Sequence, residues 1–305
     1  MNELRKKKYW IWLSLIKELG SKRKQKLLEI YKSPEQIYNL KEKELLKIHG
    51  IGEKTVKNIL DPSIRVNLEK HIEYMNKYNI DIVSIKDYEY PKRLKEIYDP
   101  PISLYIKGDK NILNHKSIGI VGCRKVSEYG KRASKYFSYN LANNGVNIVS
   151  GLAKGVDSYA HIGTIEAQYV ESSLQLKKNT YIGRTIAVVG NGLDIVYPKE
   201  NKKLEDIILK TGGCVISEYP LGTKPEKMNF PARNRIISGM SNGILVIEAK
   251  ERSGTLITVD FALEQGRDVF VVPGNINSIN SVGTNELLKQ GAKLVTTYND
   301  ITEYM

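Results

Sequence analysis

Seven short apolar runs, GIVG, NIVSG, IAVVG, CVISE, ILVIEA, VFVVPG and KLVTT, succeed one another from Ser117 onward, and a segment with helix-like spacing follows each. Short buried strands that alternate with helices imply a parallel sheet covered on both faces, because each crossover lays its helix over a face. The expected fold is therefore α/β, a Rossmann-like parallel sheet covered by helices. No internal repeat at a fixed period and no low-complexity tract interrupts the pattern.

The rest of the chain follows other rules. Residues 1–62 read as a small all-helical domain, with Ser33-Pro34 as a helix start and Gly20 and Gly50 as helix ends. The basic start MNELRKKKYWIWLSLIKELG is not a signal peptide, since Lys17 and Glu18 interrupt its apolar stretch and no small-residue cleavage site follows. Ile11, Leu15, Ile16 and Leu19 recur at helical spacing, which predicts an amphipathic helix. Within this domain KIHGIGEKTVKNIL, residues 47–60, resembles a helix-hairpin-helix, whose Gly50/Gly52 turn leaves backbone N–H groups open to a phosphate. The same pattern also serves as a plain helical packing module. A connecting segment at 63–110, with prolines at 91, 100 and 101, leads into the α/β domain at 111–305.

A chain of 305 residues, 41% hydrophobic, is long enough for two domains with buried cores. Its 47 Lys+Arg against 34 Asp+Glu give a formal net charge of +13, which favours polyanionic partners. Cys123 and Cys214 are the only cysteines, and with no CxxC and no HExxH neither a disulfide framework nor a structural zinc is indicated. The expected compartment is the cytosol. No apolar run reaches the roughly 20 residues that span a bilayer.

Ligands of open α/β sheets bind outside the carboxyl ends of the strands, so the residues that follow each strand matter most. Here those are Gly122-Cys123-Arg124, the SGLAKG turn with Lys154 and Gly155, Gly190-Asn191-Gly192, Glu218-Tyr219-Pro220, Glu248-Ala249 and Pro273-Gly274-Asn275. GCRKVSEYG fits neither GxGxxG nor a Walker A loop, so no nucleotide cofactor is expected. RSGTLIT places Ser253, Gly254 and Thr255 at a helix start, and VGTNELL does the same with Gly283, Thr284 and Asn285. Each alone is explained as a helix cap. NFPARNRIISG, residues 229–239, sets Arg233, Asn234 and Arg235 near another helix start, where the dipole favours an anion rather than two cations. Taken together with Arg124 and Lys154, these positions describe a phosphate-lined groove, which Lys199 of the YPK loop can reach.

A catalytic reading has less behind it. Asp157 and His161 lie four apart on one helix after Ser150, but SGLAKG lacks the GxSxG elbow that exposes a nucleophile. A structural Asp–His pair is the expectation, and Cys123 is expected to be a buried structural thiol.

SIGIVGCR, VSGLAKGVDSYAH, GRTIAVVGNGLDIVYPKEN, GGCVISEYPLGT, FPARNRIISGMSNGILVIEA, RSGTLIT and VPGNINSINSVGTNELLKQGA stand in the order seen in the DNA-processing protein A (DprA/Smf) family. The resemblance spans roughly residues 85–300, includes the lead-in YPKRLKEIYDPPISLYIKGD, and extends more loosely to the helical N-terminal (SAM-like) domain. It implies a DNA-binding protein without classical enzymatic turnover. Such a protein binds single-stranded DNA, forms a homodimer through the Rossmann-like domain, and loads the RecA recombinase, in natural transformation and in recombination. It also implies that Arg124, Arg233 and Arg235 border the pocket that takes up DNA phosphates. Lys154 stands where an arginine is more usual, which keeps the charge but loses the bidentate fork.

The chain departs from the family pattern at QYVESSLQLKKNTYI, about residues 168–182, where a very short turn is usual. Many relatives continue into a C-terminal winged helix, and none is expected after KLVTTYNDI. The alternative of a nucleoside-monophosphate phosphoribohydrolase on a related scaffold needs a Pro-Gly-Gly-x-Gly-Thr loop. VPGNINSINSVGTNE instead separates Pro-Gly from Gly-Thr and brings Glu286 too close behind.

Overall fold

The computed structural model describes residues 3–173 and 181–305. Among these residues nine strands form one sheet: β1 (Ile80–Ser84), β2 (Ser103–Gly108), β3 (Ser117–Val121), β4 (Asn147–Ser150), β5 (Thr185–Val188), β6 (Cys214–Ser217), β7 (Gly243–Val246), β8 (Asp268–Val271) and β9 (Lys293–Leu294). Their order is β1-β2-β6-β5-β4-β3-β7-β8-β9. All pairs from β6 to β9 are parallel, whereas β1–β2 and β2–β6 are antiparallel. Every residue of β3 to β7 is buried, as a sheet with helices on both faces requires.

The chain steps outward from β3 through β4 and β5 to β6, then returns to place β7 on the other side of β3. That reversal opens a crevice beyond the carboxyl ends of β3 and β7, the usual ligand position of such sheets. Residues 63–110, read from sequence as a connecting segment, form the helix Pro62–Lys77 and the strands β1 and β2, which extend the sheet through pairs such as Tyr105 with Ser217. The helix is started by Asp61, whose carboxylate accepts the Ser63 N–H at 2.8 Å.

The helical N-terminal region packs on the β2–β6–β5 half of the sheet. Ile11, Trp12, Leu27 and Ile72 share one apolar cluster with Tyr105, Ala187 and Val215. Ser33 starts the helix Pro34–Tyr38 as the sequence predicts, its hydroxyl accepting the Gln36 N–H at 3.2 Å. Gly20 does not end a helix: it precedes the helix Ser21–Tyr31 as its N-cap. The first long helix, Lys8–Leu15, is also not amphipathic, because Ile11, Trp12, Leu13 and Ser14 are all buried and Ile16 is already extended. Helices Pro34–Tyr38 and Pro62–Lys77 pack against it, and the Ser14 hydroxyl meets the Tyr105 hydroxyl of β2 at 2.5 Å, so burial takes a whole turn of the helix, while Lys8, Tyr9, Trp10 and Leu15 stay half-buried. In the hairpin Gly50 takes φ +87°, Ile51 is buried, and Gly52 caps the helix Glu53–Ile59.

Helix Val156–Ser173 runs on into the inserted stretch, and Gln168 Nε2 donates to the Gly183 carbonyl at 3.0 Å. Residues 174–180 of that insertion lie outside the described residues. Among the described residues no helix is long and apolar enough to cross a membrane, and no cluster of His, Cys, Asp and Glu is arranged to hold a metal.

Candidate nucleic-acid interface

An open groove of about 630 Å³ lies at the crevice, floored by the end of β3 and the loops that follow β3, β4 and β7, and walled by the helices Asn229–Met240 and Gly254–Glu264. A smaller recess of about 110 Å³ adjoins it on the β4 side, and Arg124, Ala153, Tyr197, Phe230 and Arg233 line both. Arg124 stands exposed on the turn after β3. That turn is held from below: Cys123 N–H donates to the Glu248 carbonyl at 3.0 Å, and Val156 N–H donates to the Cys123 carbonyl at 3.2 Å. Gly155 takes φ +84°, and a Cβ there would run into the Cys123 and Arg124 carbonyls, so the turn needs this glycine to keep its shape. A Cβ at Gly122 would likewise run into the Val156 side chain.

Arg233 forms part of the groove floor. It is 5% exposed, its Nη1 donates to the Gly151 carbonyl at 2.7 Å and to the Val188 carbonyl, and its Nε donates to Asn234 Oδ1 at 3.1 Å. Burial pushes its pKa down to about 10, against the pull of Asp157, so the floor stays cationic at neutral pH. Its side chain ties the ends of β4 and β5 together while presenting charge to the groove. Asp157, whose pKa burial raises, accepts the Gly151 N–H at 3.1 Å and the Ala153 N–H at 3.4 Å.

Ser253, Gly254 and Thr255 bring the start of helix Gly254–Glu264 to the groove wall. The Ser253 hydroxyl accepts the Thr255 N–H at 3.2 Å, which is the cap the sequence suggests. Lys154 lies in the adjoining recess and pairs with Glu200 at 2.5 Å, both side chains more than half exposed. An ion pair so open to solvent is weak and yields to a stronger anion. Lys199 is exposed beside that recess but lines neither cavity.

Three expectations are corrected. Arg235 does not face the groove: it is 6% exposed, its Nη2 reaches both carboxylate oxygens of Glu218 at 2.9 and 2.8 Å, and its Nε donates to Asp99 at 3.0 Å. Positions two apart on a helix point about 200° apart, so Arg233 and Arg235 cannot share one site. The anion that Arg235 requires is supplied by the protein. Gly283 and Thr284 do not reach the groove either, since the Gly283 N–H is spent on the Ala249 carbonyl at 2.8 Å and Thr284 is buried with its hydroxyl on the Ser281 carbonyl.

The Asp157–His161 pair is absent too. Asp157 is turned to the loop above, and His161 Nδ1 meets the Thr185 hydroxyl at 2.5 Å instead. Ser150 donates to the Ile120 carbonyl at 2.6 Å, so the three residues form no triad. Cys123 is buried as expected, and burial raises its pKa.

Burial pushes His161 down from 6.5 to about 3, so it folds in its neutral form. The unfolded chain takes up the proton that the folded one refuses. The resulting stability is complete above pH 6.5 and is lost as pH falls toward 3. Between pH 7 and pH 5 the unfolding free energy should drop by about 2 kcal/mol through this group. Urea denaturation of wild type and His161→Gln at the two pH values isolates the contribution. Equal pH dependence in both proteins would refute it.

Sequence reading overlooked several groove residues. Lys125, Lys227 and Lys250 add cations, and Phe230 adds a ring that sits 5.4 Å from Tyr197 and 5.8 Å below the Arg124 guanidinium. Lys250 comes four residues after the end of β7, and Lys227 sits three residues before Phe230, so both were visible as charges near a strand end or helix start. Among the described residues none of Arg124, Lys125, Lys227 and Lys250 has a carboxylate ion-pair partner.

Known proteins resemble the whole arrangement. The sequence pattern of the family described as DNA recombination-mediator protein A matches residues 81–305, and that of a SAM-like helix-hairpin-helix tandem matches residues 13–61. DNA processing protein DprA of Bacillus subtilis is 43% identical over 225 residues, which are 73% of this chain and 71% of that protein. The X-ray structure of DNA processing protein A from Streptococcus pneumoniae superposes with a TM-score of 0.81 at 36% identity, over 97% of both chains. DNA processing protein A from Helicobacter pylori, solved for its single-stranded DNA binding mode, superposes with a TM-score of 0.62 at 29% identity, over 74% of this chain and 95% of that one. Sheet, helical region and sequence agree, and the chain belongs to the DNA recombination-mediator protein A (DprA/Smf) family.

Proposed function

We propose that this protein binds single-stranded DNA by its phosphates in the groove at the β3–β7 crevice, without catalytic turnover. The observation that carries this is the set of cations without a carboxylate partner among the described residues, Arg124, Lys125, Lys227 and Lys250, above the buried Arg233 and beside a helix N-terminus. Cations left without carboxylates at a helix start make a site for a polyanion. Asn234, Lys154 and the turn Ser253–Thr255 complete the lining. The phosphates meet charge while bases rest on Phe230 and Tyr197, so recognition is independent of sequence and needs unpaired bases. The name of the Helicobacter pylori relative points to the same ligand. In the cytoplasm the protein acts as a homodimer joined through the Rossmann-like domain and loads the RecA recombinase onto the strand, in DNA processing, recombination and natural transformation.

Fluorescence anisotropy of a labelled oligothymidine and of its duplex, across a salt series, tests the reading. The single strand should bind more tightly, with log K falling against log salt at a slope of about −3 for four phosphates. Tighter duplex binding, or none at low salt, would overturn it. Loading is read as faster strand-dependent ATP hydrolysis by the recombinase when the protein is added.

A further inference from the structure

Tyr88 and Tyr98 are each 84% exposed, more than any other ring among the described residues. Exposed apolar side chains are ordinary when scattered, but these two have particular neighbours. Lys22 Nζ lies 3.1 Å from the centre of the Tyr98 ring, and Lys92 Nζ lies 5.8 Å from that of Tyr88. Between the two tyrosines the short helix Lys92–Lys95 turns Leu94 inward, with Ile97 just beyond it, against Gly239 at the far end of helix Asn229–Met240. Lys92, Arg93 and Lys95 are left facing water.

The charges here do not balance one another. Asp87 is paired with Lys7 at 2.8 Å, Glu89 with Lys110 at 3.8 Å, Glu96 with Arg267 at 4.0 Å and Asp99 with Arg235 at 3.0 Å. Every carboxylate from residue 86 to 99 is thus held by a cation from outside the segment. Among the described residues Lys22, Arg23, Lys92, Arg93 and Lys95 have no carboxylate ion-pair partner.

Uncompensated cations interleaved with exposed aromatic faces suit a single-stranded nucleic acid, whose phosphates meet the charges and whose bases stack on the rings. An apolar protein partner finds little here, because Leu94 and Ile97 are buried. The segment packs on the helix that carries Arg233, but on another face: Leu94 and Ile97 meet Gly239, six residues or about 9 Å further along the axis, and Asp99 meets Arg235, so a strand leaving the groove has to pass round this helix to reach it. We propose that Tyr88, Tyr98, Lys22, Arg23 and the cations of Lys92–Lys95 form a second single-strand contact, which receives the DNA as it leaves the groove. This rests on the single-strand reading of the groove.

The test compares oligothymidines of about 6 and about 30 nucleotides, one fitting the groove alone and the other extending past it. Two variants are used, Lys92→Ala/Arg93→Ala/Lys95→Ala and Tyr88→Ala/Tyr98→Ala, all at exposed positions. Both should bind the short strand as wild type does and the long strand about tenfold or more weakly. The charge variant should also flatten the salt slope for the long strand by about 2, while the tyrosine variant leaves the slope unchanged. Wild-type affinity of both variants for the long strand would overturn the proposal and leave the patch to an acidic protein surface. An equal loss for both lengths would overturn it too, by making the residues part of the groove. If wild type binds neither length, the groove reading itself falls and takes this contact with it.

Discussion

Arg235→Ala is expected to lower the unfolding free energy by about 3–5 kcal/mol while leaving the single-strand affinity of the folded protein unchanged. The loss is large because the substitution strands two carboxylates in a junction built around the guanidinium. Glu218 accepts from Arg235 on both oxygens and from the Ser21 hydroxyl at 2.6 Å, and Asp99 accepts from the Arg235 Nε. Burial by itself would lower the Arg235 pKa, but Glu218 and Asp99 outweigh it and hold the pKa above its ordinary value. Ser21 opens the helix Ser21–Tyr31, so the same network anchors the helical N-terminal region to the sheet. Single domains have stabilities of about 5–15 kcal/mol, so the variant should melt many degrees earlier. The measurements are thermal and urea unfolding together with anisotropy at a temperature where the variant is still folded. A stable variant with weakened DNA binding would return Arg235 to the groove.

The opposite profile is expected of Arg124→Ala/Lys227→Ala/Lys250→Ala. These side chains reach solvent and hold no carboxylate among the described residues, so unfolding should stay within about 1 kcal/mol of wild type. Binding should fall by roughly a thousandfold, since each of the three charge-assisted contacts contributes on the order of 1.5 kcal/mol and tenfold is 1.4 kcal/mol. The salt slope should lose about 2, at about 0.7 per phosphate released. A weakened affinity with an unchanged slope would mean that the loss came from altered shape rather than from lost phosphate contacts. Unaltered affinity would move the DNA elsewhere on the protein.

The contrast between Arg233 and Arg235 shows how far local sequence carries. Both stand in one helix of known type near a strand end, and the spacing alone separates their directions by about 200°. Which direction meets the groove depends on what packs behind the helix: Gly151 and Val188 on one side, Asp99 and Glu218 on the other. Those partners are distant in sequence. Gly283 and Thr284 repeat the lesson, since their helix start has the same local chemistry as Ser253-Gly254-Thr255 but faces Ala249 rather than open space. Lys227 and Lys250 went unnoticed because a lysine in a basic chain carries no local mark of its neighbours.

Local sequence alone determined the parallel strands, the helices between them, the glycine turns at the strand ends and the caps at Ser33 and Ser253. Each of these follows from periodicity or from the reach of one side chain to its own backbone. Tertiary structure alone decided the antiparallel edge formed by β1 and β2, the position of β7 beside β3, and the sorting of cations into those that hold the fold and those left for an anion. Strand partners and ion pairs join residues far apart in the chain, and a side chain's charge is spoken for only when folding brings its partner within reach.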